Sequence, residues 1–204
     1  MEQPQLTLID QLGNDPLHDL DRWIREAEAS GVKEPNAMAL ATATKDGRPS
    51  VRIVLAKGIE SDAVHFFTNY ESRKAEELSE NPRASAVFHW VTLSRQVRLE
   101  GTVVRLSAEE SQAYFATRPR GSQIAAWASH QSQTVTSYAA LTTEFEQLHK
   151  RFGETALVPC PPHWGGFALT PTLCEFWLGM PSRLHDRVKF ERSGAAWLKR
   201  QLAP

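Results

Sequence analysis

Between Ser94 and Leu106 the chain reads as a strand that cannot stay flat. Val97, Leu99 and Val103 share one face, while Gln96, Arg98 and Glu100 share the other. Gly101 and the Val103-Val104 pair then break the alternation, which marks a bulge or bend. Such a bend lets a sheet curl towards a barrel, and the neighbouring segments supply its other strands. Met38–Thr44 and Pro49–Lys57 read as two strands joined by a turn at Lys45-Asp46-Gly47. Ala63–Asn69 and Arg83–Trp90 follow, and Gly166–Thr170, Leu173–Leu178, Arg187–Glu191 and Ala196–Arg200 return late in the chain, the last pair joined at Ser193-Gly194.

Helices interrupt these strands. Asp15-Pro16 opens one whose Leu17, Leu20, Ile24 and Ala27 recur at helical spacing up to Gly31. Ser72–Glu80 stops at Asn81-Pro82. Ser107-Ala108-Glu109-Glu110 has the form of a capping box and starts a helix to about Ala116. Ser122–Ser129 and Thr136–Phe152 complete the set. Strands outnumber helices and come as neighbouring hairpins. The expected fold is therefore mainly β with packed helices (α+β), an antiparallel barrel with helices outside it. The 204 residues suit one domain. Residues 1–14 are expected to be a loose N-terminal segment and residues 15–204 the folded unit.

A net charge of −1 argues against a general nucleic-acid binder. No apolar run approaches a membrane span, and no secretory signal is visible after Met1. Two cysteines without a C-x-x-C pair make a disulfide framework or thiolate zinc site unexpected, and a reducing cytoplasm is the default location. The seven histidines show no zinc-ligand spacing, so no metal is expected. There is no G-x-S-x-G elbow and no activated cysteine. Without a clear nucleophile, chemistry falls to a bound cofactor.

Two stretches call for anions. At Thr68-Asn69-Tyr70-Glu71-Ser72-Arg73-Lys74, Ser72 is a natural helix N-cap, yet Arg73 and Lys74 occupy the first turn, where the helix dipole disfavours cations. A phosphate would resolve the conflict. Local screening by Glu71, Glu76 and Glu77 is the plainer alternative. At Tyr114-Phe115-Ala116-Thr117-Arg118-Pro119-Arg120-Gly121-Ser122, a phenol, two arginines and a hydroxyl gather where one helix ends and another begins. A second phosphate, or merely a basic surface turn, would account for them. Arg52 and Lys57 add cations, but five positions separate them, so they face opposite ways unless Lys57 lies beyond the strand end.

In Arg183-Leu184-His185-Asp186-Arg187, an extended backbone would put Arg183, His185 and Arg187 on one face and Leu184 on the other. Two cations flanking an imidazole need an electron-rich partner, unless Asp186 neutralises them.

Together with Arg52 to Lys57, Phe67 to Lys74, Arg95-Gln96-Val97-Arg98, Tyr114 to Ile124, Ala128-Ser129-His130-Gln131-Ser132 and Glu175-Phe176-Trp177, this last stretch resembles the pyridoxamine/pyridoxine 5′-phosphate oxidase family. The likeness runs collinearly from about Pro35 to Pro204. It implies a split β-barrel that forms a homodimer, with FMN at the subunit interface. FMN would accept a hydride equivalent from C4′ of pyridoxamine or pyridoxine 5′-phosphate. Pyridoxal 5′-phosphate would form (with NH3 from the amine), and O2 would reoxidise the flavin to give H2O2. The implied FMN contacts are Arg52, Ile53, Val54, Leu55, Ala56, Lys57, Phe67, Thr68, Arg73, Lys74, Gln96, Gln131, Ser132, Trp177 and Arg187. The implied substrate contacts are Lys57, Tyr114, Arg118, Ser122, Arg183 and His185, with Arg183 and His185 acting over the flavin. No membrane or nucleic-acid partner is implied. The family's Arg/Tyr-bearing N-terminal arm has no counterpart before Asp15, and His89 stands where the family often has proline. Two other readings stay open: a related FMN oxidase acting on another heterocycle, as in phenazine-forming relatives, and a non-catalytic flavin or pyridoxal-phosphate binder.

Overall fold

The computed structural model describes residues 7–204. In chain order the elements are α1 (Leu8–Gln11), α2 (Pro16–Ala29), β1 (Ala37–Ala43), β2 (Pro49–Leu55), β3 (Gly58–Glu60), β4 (Ala63–Asn69), α3 (Arg73–Glu80), β5 (Arg83–Trp90), β6 (Arg95–Arg105), α4 (Ala108–Thr117), α5 (Arg120–Ala128), α6 (Tyr138–Phe152), β7 (Trp164–Leu178), β8 (Asp186–Ser193) and β9 (Ala196–Leu202). Every pairing is antiparallel, and the main path runs β2-β1-β5-β6-β7-β4-β3. The sheet forks at β7: β6 pairs with it from Phe167 to Leu178, β4 with its first part and β8 with its last, and β9 completes the second branch. This is an antiparallel, curled, split barrel with helices packed on it.

The bend falls where the alternation fails. The β6–β7 register shifts between Glu100 and Gly101. A Cβ on Gly101 would lie 2.1 Å from the Thr170 carbonyl oxygen, so only glycine admits this approach. The two strands expected at Gly166–Thr170 and Leu173–Leu178 are one continuous strand. Pro171 lies at the bend, where a missing N–H costs the ladder little.

Phe66, Phe88, Phe176, Phe190, Leu99 and Leu169 fill the core. α2 closes it with Leu17, Leu20, Trp23 and Ala27; Trp23 stands edge-on to Phe176 at 5.0 Å. Asp15 caps this helix by accepting from the Leu17 amide at 2.9 Å. Of the N-terminal segment, residues 1–6 lie outside the described residues. The rest is not loose: α1 forms, and Leu8 and Leu12 are buried in the core. The Leu8 amide donates to Asp186 at 2.7 Å, which docks α1 onto β8. Among the described residues, no helix is long and apolar enough to cross a membrane.

Candidate active site

A cleft of about 920 Å³ opens between the edge strand β2, the end of β4, and helices α3, α4 and α5. That volume is at the upper end of small-molecule sites. β2 ends at Leu55, and the Lys57 amide then donates to the His65 carbonyl at 2.8 Å, switching the chain from β1 to β4. Lys57 therefore escapes the parity of β2, and Arg52 and Lys57 line the same cleft.

One end of the cleft is cationic. The Lys74 ammonium is buried and donates to Thr68 Oγ1 (2.8 Å), Ser72 Oγ (3.0 Å) and Gln131 Oε1 (2.6 Å). Burial, reinforced by the nearby Arg52 charge, pushes its pKa down to about 8. Ser72 is the N-cap residue of α3, but its hydroxyl does not cap; it donates to the Asn69 carbonyl and accepts from Lys74. Asn69 ties the end of β4 to α5 through the Ser129 carbonyl at 2.9 Å. Arg52 and Arg73 meet at Glu77, whose side chain is 3% exposed. Its carboxylate accepts from Arg73 Nε at 2.8 Å, Ser50 Oγ at 2.5 Å, the Thr42 hydroxyl, and Arg52 Nη2 at 3.4 Å. Burial alone would raise the Glu77 pKa; the hydrogen bonds from Ser50, Thr42 and Arg73, with the Arg52 charge, outweigh it and hold the carboxyl at about 2.

The other end is aromatic with a single cation. Phe67 stacks on Tyr114 at 3.9 Å and on Trp164 at 5.4 Å. The Arg118 guanidinium lies 4.6 Å over Trp164, and its Nη1 is buried without a partner among the described residues. Ser122 lines the wall beside it. Arg120, expected at this cluster, is turned away to the α6 terminus, where it donates to the carbonyls of Ala156 (2.8 Å), Phe152 (3.1 Å) and Gly153. α5 begins at Arg120, two residues before the expected start.

Ile53, Val54, Leu55, Thr68, Gln131 and Ser132 also line the cleft. Ala56 does not: it is buried, and its amide and carbonyl are both bonded to Asn36.

Gln96, Trp177 and Arg187 lie outside this cleft, in one row across β6, β7 and β8. The expected extended run from Arg183 is corrected here. Pro181–Arg183 is a 3-10 turn with Ser182 and Arg183 at φ 59° and 60°, and β8 starts only at Asp186. A left-handed pair after a proline cannot keep strand alternation. Leu184 is exposed, not core-facing. His185 packs 4.7 Å from Trp177, and its Nδ1 accepts from the Met180 amide at 3.2 Å, leaving Nε2 to bear the neutral ring's proton. Asp186 does not neutralise the arginines, since it holds Leu8 and Gln201. Arg187 is held instead by Glu175, a buried acid on β7, through Nε (3.0 Å) and Nη2 (2.8 Å); Arg98 takes the other oxygen at 3.1 Å. Glu175 escaped the sequence reading as a site residue, and Glu77 entered it only as one of three screening acids; its i,i+4 spacing from Arg73 was the local signal for that pair. Among the described residues no His/Cys/Asp/Glu cluster could hold a metal ion.

Residues 24–152 match the family model described as pyridoxamine 5′-phosphate oxidase, and residues 164–204 match the pyridoxine 5′-phosphate oxidase C-terminal dimerisation region. The chain is 51% identical over 197 residues to a pyridoxine/pyridoxamine 5′-phosphate oxidase of Salinibacter ruber and 52% identical to one of Paraburkholderia phymatum; each alignment covers 96% of this chain and 92% of the relative. The crystal structure of PhzG from Burkholderia lata, in complex with tetrahydrophenazine-1-carboxylic acid, superposes with a TM-score of 0.90 at 34% identity, covering 100% of this chain and 98% of that one. A pyridoxamine 5′-phosphate oxidase-related, FMN-binding protein from Nostoc punctiforme shares the fold at a TM-score of 0.75 and 17% identity, over 95% of this chain and 100% of its own.

Proposed function

The chain belongs to the pyridoxamine 5′-phosphate oxidase family, and on that premise we propose that it oxidises pyridoxamine or pyridoxine 5′-phosphate to pyridoxal 5′-phosphate. In this reading FMN is the resident cofactor and O2 the final acceptor, released as H2O2. One observation carries it: a single cleft has a multi-cation end and a separate end where one arginine lies against an aromatic stack. Two phosphorylated molecules, one larger than the other, fit that layout.

FMN, when bound, supplies the two-electron chemistry that the side chains lack. Lys74, Arg73, Arg52 and the first turn of α3 would hold its phosphate. The buried Arg118 Nη1 would hold the substrate phosphate, with Tyr114 and Ser122 beside it; a donor buried without an acceptor costs free energy that a phosphate oxygen recovers. Lys57 would reach the substrate from beyond the end of β2. The aromatic wall excludes water from the reacting face.

Gln96, Trp177, Arg183, His185 and Arg187 are assigned to the cleft of a second copy, so each active site of a homodimer is built from two chains. The C-terminal dimerisation region spans four of these five residues. Val51 and Ile53 support the arrangement, being 68% and 66% exposed on the edge strand β2 that walls the cleft. His185 would donate from Nε2 near C4′, and Arg183, exposed and free of ion pairs among the described residues, would orient the substrate.

The likeness to PhzG supports a second reading, oxidation of a phenazine-type ring without a phosphate. Anaerobic addition of substrate to the flavin-loaded protein separates the two. Pyridoxine 5′-phosphate should bleach the flavin and unphosphorylated pyridoxine should not, while Arg118→Ala should lower kcat/KM for the phosphorylated substrate about 10- to 100-fold. Equal bleaching by both compounds overturns the phosphate-clamp reading; no bleaching by either favours a phenazine-type ring or a non-catalytic binder.

A further inference from the structure

Glu77 sits one layer behind the cleft and does not line it, yet the two arginines of the cationic end converge on it. Its partners come from three elements: Thr42 from β1, Ser50 and Arg52 from β2, and Arg73 from α3 itself. Among the described residues, the edge strand and the helix meet nowhere else in the site through a shared charged group. Without Glu77 the guanidinium groups of Arg52 and Arg73 and the ammonium of Lys74 would share one end of the cleft with no counter-charge, and the exposed Arg73 would swing to solvent. With it, three cations and one carboxylate sum to +2, which matches a phosphate monoester dianion near neutral pH.

We propose that Glu77 is a positioning residue for phosphate-monoester recognition, fixing Arg52 and Arg73 in the arrangement that receives the phosphate. This rests on the reading of the Lys74 end as the FMN phosphate site. Two physical effects of the carboxylate oppose each other, and their signs separate the proposal from simple screening. If Glu77 only screened the cations, removing its charge would leave +3 at the site and tighten phosphate binding. If it positions them, removing its charge frees Arg73 and takes from Arg52 its one charged partner, leaving it only the neutral Leu40 carbonyl, Thr42 and Ser50, and binding loosens despite the added net charge.

The test titrates FMN and riboflavin, the same ring system without the phosphate, into the flavin-depleted full chain and follows flavin fluorescence. Glu77→Gln should weaken FMN binding about tenfold or more and leave riboflavin binding unchanged. Inorganic phosphate should compete with FMN less well in the variant than in wild type. Thr42→Val, at a residue outside the cleft, removes both the hydrogen bond that Thr42 donates to the carboxylate and the one it accepts from Arg52 Nη1 at 2.5 Å, so it loosens the same Arg52–Glu77 cluster without touching the charge; it should weaken FMN about threefold with riboflavin again unchanged, and it serves if Glu77→Gln does not fold. FMN binding that stays equal or tightens, or equal losses for FMN and riboflavin, overturns the positioning role. Should wild type itself fail to prefer FMN over riboflavin, the phosphate-site reading falls first and the proposal with it.

Discussion

Burying the Lys74 ammonium against a threonine, a serine and a glutamine, with no ion pair among the described residues, works against folding. The depressed pKa gives the sign. Below about pH 8 the folded state carries the full penalty of a desolvated charge; between about 8 and the ordinary lysine range the folded state sheds the proton first and the penalty fades. In the flavin-free protein, wild type should therefore gain on Lys74→Met by about 3 kcal/mol across that interval, read from denaturant midpoints at several pH values. FMN affinity should move the opposite way, weakening as pH rises through about 8, because the phosphate needs the charged form. A flat FMN affinity between pH 7 and pH 9.5 would remove Lys74 from the phosphate site. The conflict at this residue was legible in the sequence, because cations in a first helical turn oppose the dipole. The identity of the acid behind them was not, since Glu71, Glu76 and Glu77 are equivalent candidates until the packing of α3 on β1 and β2 selects one.

At the scale of elements, the β6–β7 pair sets the geometry. A methyl at Gly101 would meet the Thr170 carbonyl and Pro171 Cα, both backbone atoms of the opposite strand, so neither can step aside as a side-chain tip would. Gly101→Ala should cost about 3 kcal/mol or more and lower Tm; an unchanged Tm would mean that the bend is set elsewhere. Gly101 and the broken alternation of Val103-Val104 made this bend visible in advance. Pro171 misled in the opposite direction, because a proline reads as a strand end even where a bulge tolerates it. Pro181 had the reverse effect: the Arg-His-Arg alternation reads as a strand, but the proline and the left-handed pair after it make a turn. Periodicity could not reveal the reach of Lys57 either, since it depends on where β2 hands over to β4.

For the whole molecule, the residues implied by the family likeness fall into two sets that no single described cleft unites. If two copies share each site, an Arg118→Ala chain and an Arg183→Ala chain, each inactive alone, should complement each other. After refolding an equal mixture, half the dimers are mixed, each with one intact site, and activity should return to about a quarter of wild type. Absence of recovery, with mixed dimers verified by mass, would place both residues in one chain's site. Collinear motifs suggested a residue list, but a linear string does not say which members belong to which copy. The fork at β7 carries a further consequence, for synthesis. β7 covers one edge of β4 and one edge of β6, and it emerges after every helix of the sheet's first half. For an interval on the order of ten seconds of translation, those two edges and the apolar faces behind them have no partner. The nascent chain therefore matures late and all at once, and fragments truncated before Trp164 should be trapped by strand-to-strand aggregation rather than released as a smaller folded unit.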